Sequence, residues 1–176
     1  MRKSFTIHKG KKSQVDDFIH ARKRMLEELN QVQHRLEAVD EIHSVTYVND
    51  SSATSVMSTV DSMRCIPDPV VWICCATPYD RDFILMSSIV RHKVKAIVMC
   101  GKEASDVRSV LEGAVEKFKI TENLKSAVTA AFEIAVAGDV VLFSPSCAPG
   151  RFYKDVAERG EDFRTLVSEL RNKGRE

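Results

Sequence analysis

The chain has 176 residues, of which 44% are hydrophobic and 29% charged, and a formal net charge of +1. That length suits one domain with a substantial core, and the near-neutral balance offers no general attraction for nucleic acid or an anionic membrane. No apolar run approaches the roughly 20 residues a membrane span needs, and the start, Met1-Arg2-Lys3-Ser4-Phe5-Thr6-Ile7-His8, lacks the apolar centre of a secretory leader. The five cysteines (65, 74, 75, 100 and 147) are an odd number set mostly in apolar runs. They read as reduced core residues of a cytoplasmic protein. There is no Cys-x-x-Cys pair and the histidines show no zinc-type spacing, so no metal site is expected.

In chain order, the first 32 residues form an N-terminal extension and 33–176 the main domain. The extension holds a short strand at Phe5-Thr6-Ile7, a basic loop, and a helix from Gln14 to Leu29 with apolar residues at helical spacing. Gly10-Lys11-Lys12-Ser13 invites comparison with a phosphate loop. It fails because Gly-Lys is not followed directly by Ser or Thr, and because Phe5 stands where the motif needs its first glycine.

From residue 33 the pattern alternates. His34 to Val39 and Val45 to Val48 read as strands joined by a turn at Glu41 to Ser44. Ser55 to Met63 reads as a helix broken by Pro67 and Pro69. Val70 to Ala76, Lys95 to Gly101 and Asp139 to Pro145 are continuous apolar strands, as in a parallel sheet covered on both faces. Helices are expected at Phe83 to His92, Ala104 to Phe118, Leu124 to Ala137 and Arg159 to Arg171, with a short strand at Phe118 to Ile120. This alternation predicts an α/β fold, a mostly parallel, Rossmann-like sheet with helices on both faces.

Ligands of such sheets sit outside the carboxyl ends of the strands. The polar strand ends are Asn49-Asp50-Ser51, Thr77-Pro78-Tyr79-Asp80 and Ser144-Pro145-Ser146-Cys147. An Asp at such a corner can accept from a sugar hydroxyl or hold a metal, while Ser51 and Thr54 can cap the following helix. Asp50 and Ser51 serving only as caps is the alternative. His34-Arg35 can hold a phosphate or stack on a base, or be a solvated strand end. No catalytic set emerges from the spacing. Cys147 has no base beside it, and Cys74 and Cys75 are adjacent in a strand, so they point to opposite faces.

Four segments together are similar to the C-terminal domain of the Mur ligases, above all the D-glutamate-adding branch. They are His34-Arg35-Leu36-Glu37; Tyr47-Val48-Asn49-Asp50-Ser51-Ser52-Ala53-Thr54; Gly138 to Ala148, which contains Leu142-Phe143-Ser144-Pro145-Ser146-Cys147; and Glu158-Arg159-Gly160 with Phe163. The resemblance implies that His34, Arg35 and Asp50 approach ATP, which with its magnesium is held mainly by a separate central domain. It also implies that Thr54 belongs to a site for D-glutamate. That site is depleted. The family's first lysine falls at Ser52 and its second near Tyr79, while a serine and an apolar position fall at Pro149 and Gly150. Each lysine contact is typically worth roughly 1.5–3 kcal/mol, so losing both should abolish useful D-glutamate affinity.

The resemblance further implies an ATP-dependent acid–amino-acid ligase of peptidoglycan precursor synthesis. Neither the family's nucleotide-sugar domain nor its ATPase domain has a counterpart in this sequence. Three expectations follow. The chain is a non-catalytic binding or regulatory module, or the trans-acting piece of a split ligase completed by a protein carrying the other two domains, or a repurposed domain whose ligand lies among Asp50, Thr77, Tyr79 and Ser144. On any of these, the face around His34, Arg35 and Asp50 is expected to be exposed or covered by the first 30 residues.

Overall fold

The computed structural model describes residues 34–75, 82–101, 105–150 and 152–173. The expected strand, basic loop and helix before residue 34, and the loop holding Thr77 and Tyr79, lie outside the described residues. A six-stranded sheet runs in the order β1 (Glu37–Ile42), β2 (Val45–Asn49), β6 (Val140–Phe143), β3 (Val70–Cys75), β4 (Val94–Cys100), β5 (Lys117–Thr121). β1 is antiparallel to β2, and every other pairing is parallel.

The first strand starts at Glu37 rather than His34, because His34 and Leu36 take positive φ of 63° and 45°, outside extended space. The hairpin turn narrows to His43-Ser44, with φ of 52° and 59° between the paired residues Ile42 and Val45. Two left-handed residues there match the twist of the flanking strands.

Strands β3, β4 and β6 are buried on both sides, which explains their unbroken apolar runs. On one face Val48, Trp72, Cys74, Ile97, Met99 and Leu142 meet α1 (Val56–Cys65), a 3₁₀ turn (Asp82–Met86), α2 (Ser87–Lys93) and α3 (Ser105–Leu111). On the other, Tyr47, Ile73, Val98 and Phe143 meet α4 (Leu124–Ile134) and α5 (Val156–Lys173). The result is the expected three-layer α/β arrangement. Connections from β2 through to β5 run across the first face, and the return to β6 runs across the second, as right-handed crossovers require when the direction reverses.

Local chemistry sets the helix ends. Ser55, and neither Ser51 nor Thr54, caps α1: its extended backbone lets Oγ accept from Ser58 N at 3.2 Å. The segment expected to be one helix from Ala104 to Phe118 divides into α3, a 3₁₀ turn (Glu112–Ala114) and the start of β5. The closing helix starts three residues earlier than the sequence suggested, at Val156. Among the described residues no helix is long and apolar enough to cross a membrane.

Candidate functional site

The loop after β2, the loop after β6 and the first turns of α5 converge at the carboxyl edge of the sheet. Their partner strands β2 and β6 are neighbours, but the chain leaves β2 toward one face and β6 toward the other. A crevice is expected at such a divergence.

Asp50 is the first residue after β2, at this edge. The residue is fully buried. Its Oδ2 accepts from Ser144 Oγ at 2.7 Å and its Oδ1 from Leu36 N at 3.3 Å, while its own N–H donates to Phe143 O at 2.8 Å. Burial pushes the carboxyl pKa up, and the bonds from Ser144 and Leu36 and the nearby Arg35 charge oppose it without cancelling it. The hydroxyl chain continues from Ser144 to Thr59 and from Ser146 to Thr59, each at 2.8 Å. Ser144 also offers its carbonyl to Trp72 Nε1 at 2.8 Å. A polar network thus threads from the strand ends into the first core.

His34 is drawn into the same interior. Its Nδ1 lies 3.0 Å from Asn49 Nδ2, and Asn49 Nδ2 also reaches Glu37 Oε2 and Gly160 O, each at 3.2 Å. Gly160 is what admits the imidazole: a Cβ there would lie 2.4 Å from His34 Nδ1. Asn49 Oδ1 in turn accepts from Ser51 N at 3.2 Å. Arg159, only 1% exposed, clamps the loop by donating to Ser51 Oγ, Ser51 O and Cys147 O at 3.0, 2.7 and 3.0 Å. Sequence reasoning assigned no role to Asn49, Arg159 or Gly160. The signal was present as Arg159-Gly160 among the quoted motifs, but only the fold carries α5 back onto the loop after β2.

The face expected to be open or covered by the first 30 residues is therefore different for two of its members. His34 and Asp50 are bonded into the domain's own interior, because the residues beside them, Asn49 and Ser144, supply the partners. Arg35 remains half-buried at the rim. Thr54 is exposed and Ser52 half-buried; no partner of the Ser52 hydroxyl is found among the described residues. Pro149 is half-buried and Gly150 exposed with φ of 72°, on the loop at the same edge. Tyr79 lies outside the described residues. The edge brings His34, Arg35, Asp50 and Ser52 together: Ser52 N donates to His34 O at 3.1 Å.

Among the described residues no group of three or more His, Cys, Asp or Glu is placed to hold a metal ion. Asp50, with both oxygens engaged, fits a structural acceptor better than a magnesium ligand, and Arg35, half-buried at the rim, can meet a phosphate. Two clefts, of about 410 and 580 Å³, lie elsewhere, at the opposite edge of the sheet beside Arg91 to Lys95 and along β5 and α4.

Comparison with known proteins places this geometry. Residues 34–147 match the family model described as Mur ligase, glutamate ligase domain. A UDP-N-acetylmuramoylalanine–D-glutamate ligase from Pseudothermotoga lettingae is 34% identical over 150 residues, 85% of this chain and 35% of that protein. The corresponding ligase of Salinibacter ruber is 37% identical over 139 residues, 79% of this chain and 30% of that protein. The chain thus spans about a third of the length of the curated relatives it matches. Among solved structures, Escherichia coli FolC in complex with ADP, without folate substrate, aligns with a TM-score of 0.51 at 16% identity, over 79% of this chain and 32% of that one. A domain assigned to a UDP-N-acetylmuramate:L-alanyl-gamma-D-glutamyl-meso-diaminopimelate ligase from Haemophilus ducreyi aligns with a TM-score of 0.50 at 13% identity, over 79% of this chain and 98% of that one. These structural likenesses bear on fold, and the family match spans all six strands of the sheet. The chain belongs to the Mur ligases, through their glutamate ligase domain.

Proposed function

We propose that this domain serves peptidoglycan precursor synthesis as a non-catalytic binding or regulatory module that has given up D-glutamate. The observation that carries the reading is Ser52. It stands where the family resemblance puts a lysine, on the loop after β2, and presents a short hydroxyl in place of a cation. A carboxylate ligand without its charge-assisted donors loses most of its attraction. The internal engagement of Asp50 and His34 points the same way, since groups already paired have less to offer a nucleotide.

A second reading rests on what is kept. His34, Arg35, Asp50 and Thr54 all stand at their family positions, and Arg35 is accessible at the rim. That set favours a domain that closes over ATP held by a partner protein with the family's N-terminal and central domains.

Calorimetric titration of the chain separates the two. On the first reading D-glutamate gives no heat, with or without Mg-ATP, for wild type and Asp50→Ala alike. D-glutamate binding with sub-millimolar Kd would overturn it. Mg-ATP binding that is lost in Asp50→Ala would favour the second reading, as would ligase activity on adding a protein that carries the other two domains.

A further inference from the structure

Cys75 closes β3 and Cys100 closes β4, and the two are Cα partners in the parallel register. Both side chains face the layer of α4 and α5, whereas Cys74 faces the other core and touches Met99 Sδ at 3.8 Å. The thiols of Cys75, Cys100 and Cys147 lie near enough to influence one another's ionisation. Cys75 and Cys100 are in no disulfide and are both half-buried. Partner residues on neighbouring strands lie about 4.8 Å apart in the hydrogen-bonding direction. A disulfide needs Cα atoms roughly 4.4–6.8 Å apart, so closing the bond asks for side-chain rotation and little backbone movement. Buried Arg159 supplies a positive charge nearby, and none of its three hydrogen-bond acceptors is a carboxylate.

We infer that Cys75 and Cys100 form a thiol–disulfide exchange site at the carboxyl edge of the sheet, with Cys100 attacking, Cys75 resolving, and a small disulfide of the glutathione class as oxidant. The Cys100 thiolate attacks one sulfur of the small disulfide, forms a mixed disulfide and expels one thiolate, which takes up a proton. Cys75 then loses its proton and attacks the Cys100 sulfur, expelling the second small thiolate. The protein loses two protons and two electrons, and the small disulfide becomes two thiols. The division of roles follows from the surroundings. The hydrogen bond from Cys75 and the Arg159 charge hold the Cys100 thiol below its usual range against burial and the charges of Cys147 and Asp162. Cys75 is pushed well above it by its bonding to the Cys100 and Cys147 thiols and by loss of solvent. The thiolate is the attacking form, and half-burial of both residues admits a small oxidant more readily than a protein one.

The test uses the full chain, reduced and then incubated with oxidised glutathione, followed by intact mass and peptide mapping. Wild type should lose two hydrogens and yield a linked Cys75–Cys100 peptide. Cys75→Ser should stop with one glutathione on Cys100, and Cys100→Ser should react at least about tenfold more slowly because the low-pKa thiol is gone. Cys65→Ser, altered at the end of α1, should behave as wild type, and matched thermal melts would show that the serine variants fold. A mapped bond to another cysteine, no adduct on Cys100 in Cys75→Ser, or wild-type oxidation in Cys100→Ser would overturn the assignment.

Discussion

At Asp50, burial and hydrogen bonding act in opposite directions, and burial prevails, so the native carboxyl holds its proton to higher pH than the unfolded chain does. Between the two values the native state binds more protons, so stability falls as pH rises through that window. The contribution is fully present below the unfolded value of 3.8 and is lost on passing the raised native one. Asp50→Asn keeps an acceptor but cannot ionise. The stability of wild type relative to this variant should therefore decline from acid toward neutral pH, as read from urea midpoints at each pH; a pH-independent difference would refute it. Gly160 makes a second residue-level case. An added Cβ would meet His34 Nδ1 at 2.4 Å, His34 Cγ at 2.7 Å and Asn49 Nδ2 at 3.1 Å. Gly160→Ala should cost about 1–3 kcal/mol. His34→Gly in the same chain should recover part of it, because that change removes the ring and suits the φ of 63°. Strictly additive losses in a double-mutant cycle would refute the contact.

The elements show why some of the fold was legible in the sequence. Strands β3, β4 and β6 could be read because burial on both faces demands an unbroken apolar run. The helix within Ala104 to Phe118 is shorter than its spacing suggests. Its apolar spacing continues through Val110 and Leu111, but the chain then turns at Glu112–Ala114 and re-enters the sheet as β5, whose alternating Lys117, Phe118 and Lys119 suit an edge strand. Serine and threonine clusters hid the cap of α1, since Ser51, Ser52, Thr54 and Ser55 are equally plausible from composition and only backbone geometry selects Ser55. The start of α4 is less ambiguous. Asn123 Oδ1 accepts from Ser126 N at 2.9 Å, and Ser126 Oγ accepts from Asn123 N at 3.3 Å, a reciprocal box. Asn123→Ala should lower stability by about 1 kcal/mol, measured by urea unfolding; no change would mean that the helix end is held by packing of Leu124 and Ala127 alone.

At the scale of the whole molecule, the layered sheet and the convergence of polar strand ends followed from alternation alone, and the family from four separated motifs. What the sequence could not supply was how much of that edge turns inward. Whether a polar residue points to solvent or into a network depends on a partner far away in the chain, as Arg159 is from Ser51 and Gly160 from His34. The antiparallel first strand has a further effect. Because β1 runs against its neighbours, its start at Glu37 lies level with Asn49, at the end of β2. His34, Arg35 and Leu36, which lead into β1, are thus set at the edge where Ser52 lies. A parallel first strand would have put those residues at the opposite edge of the sheet, so the single antiparallel pairing is what sets His34 and Arg35 beside the loop after β2.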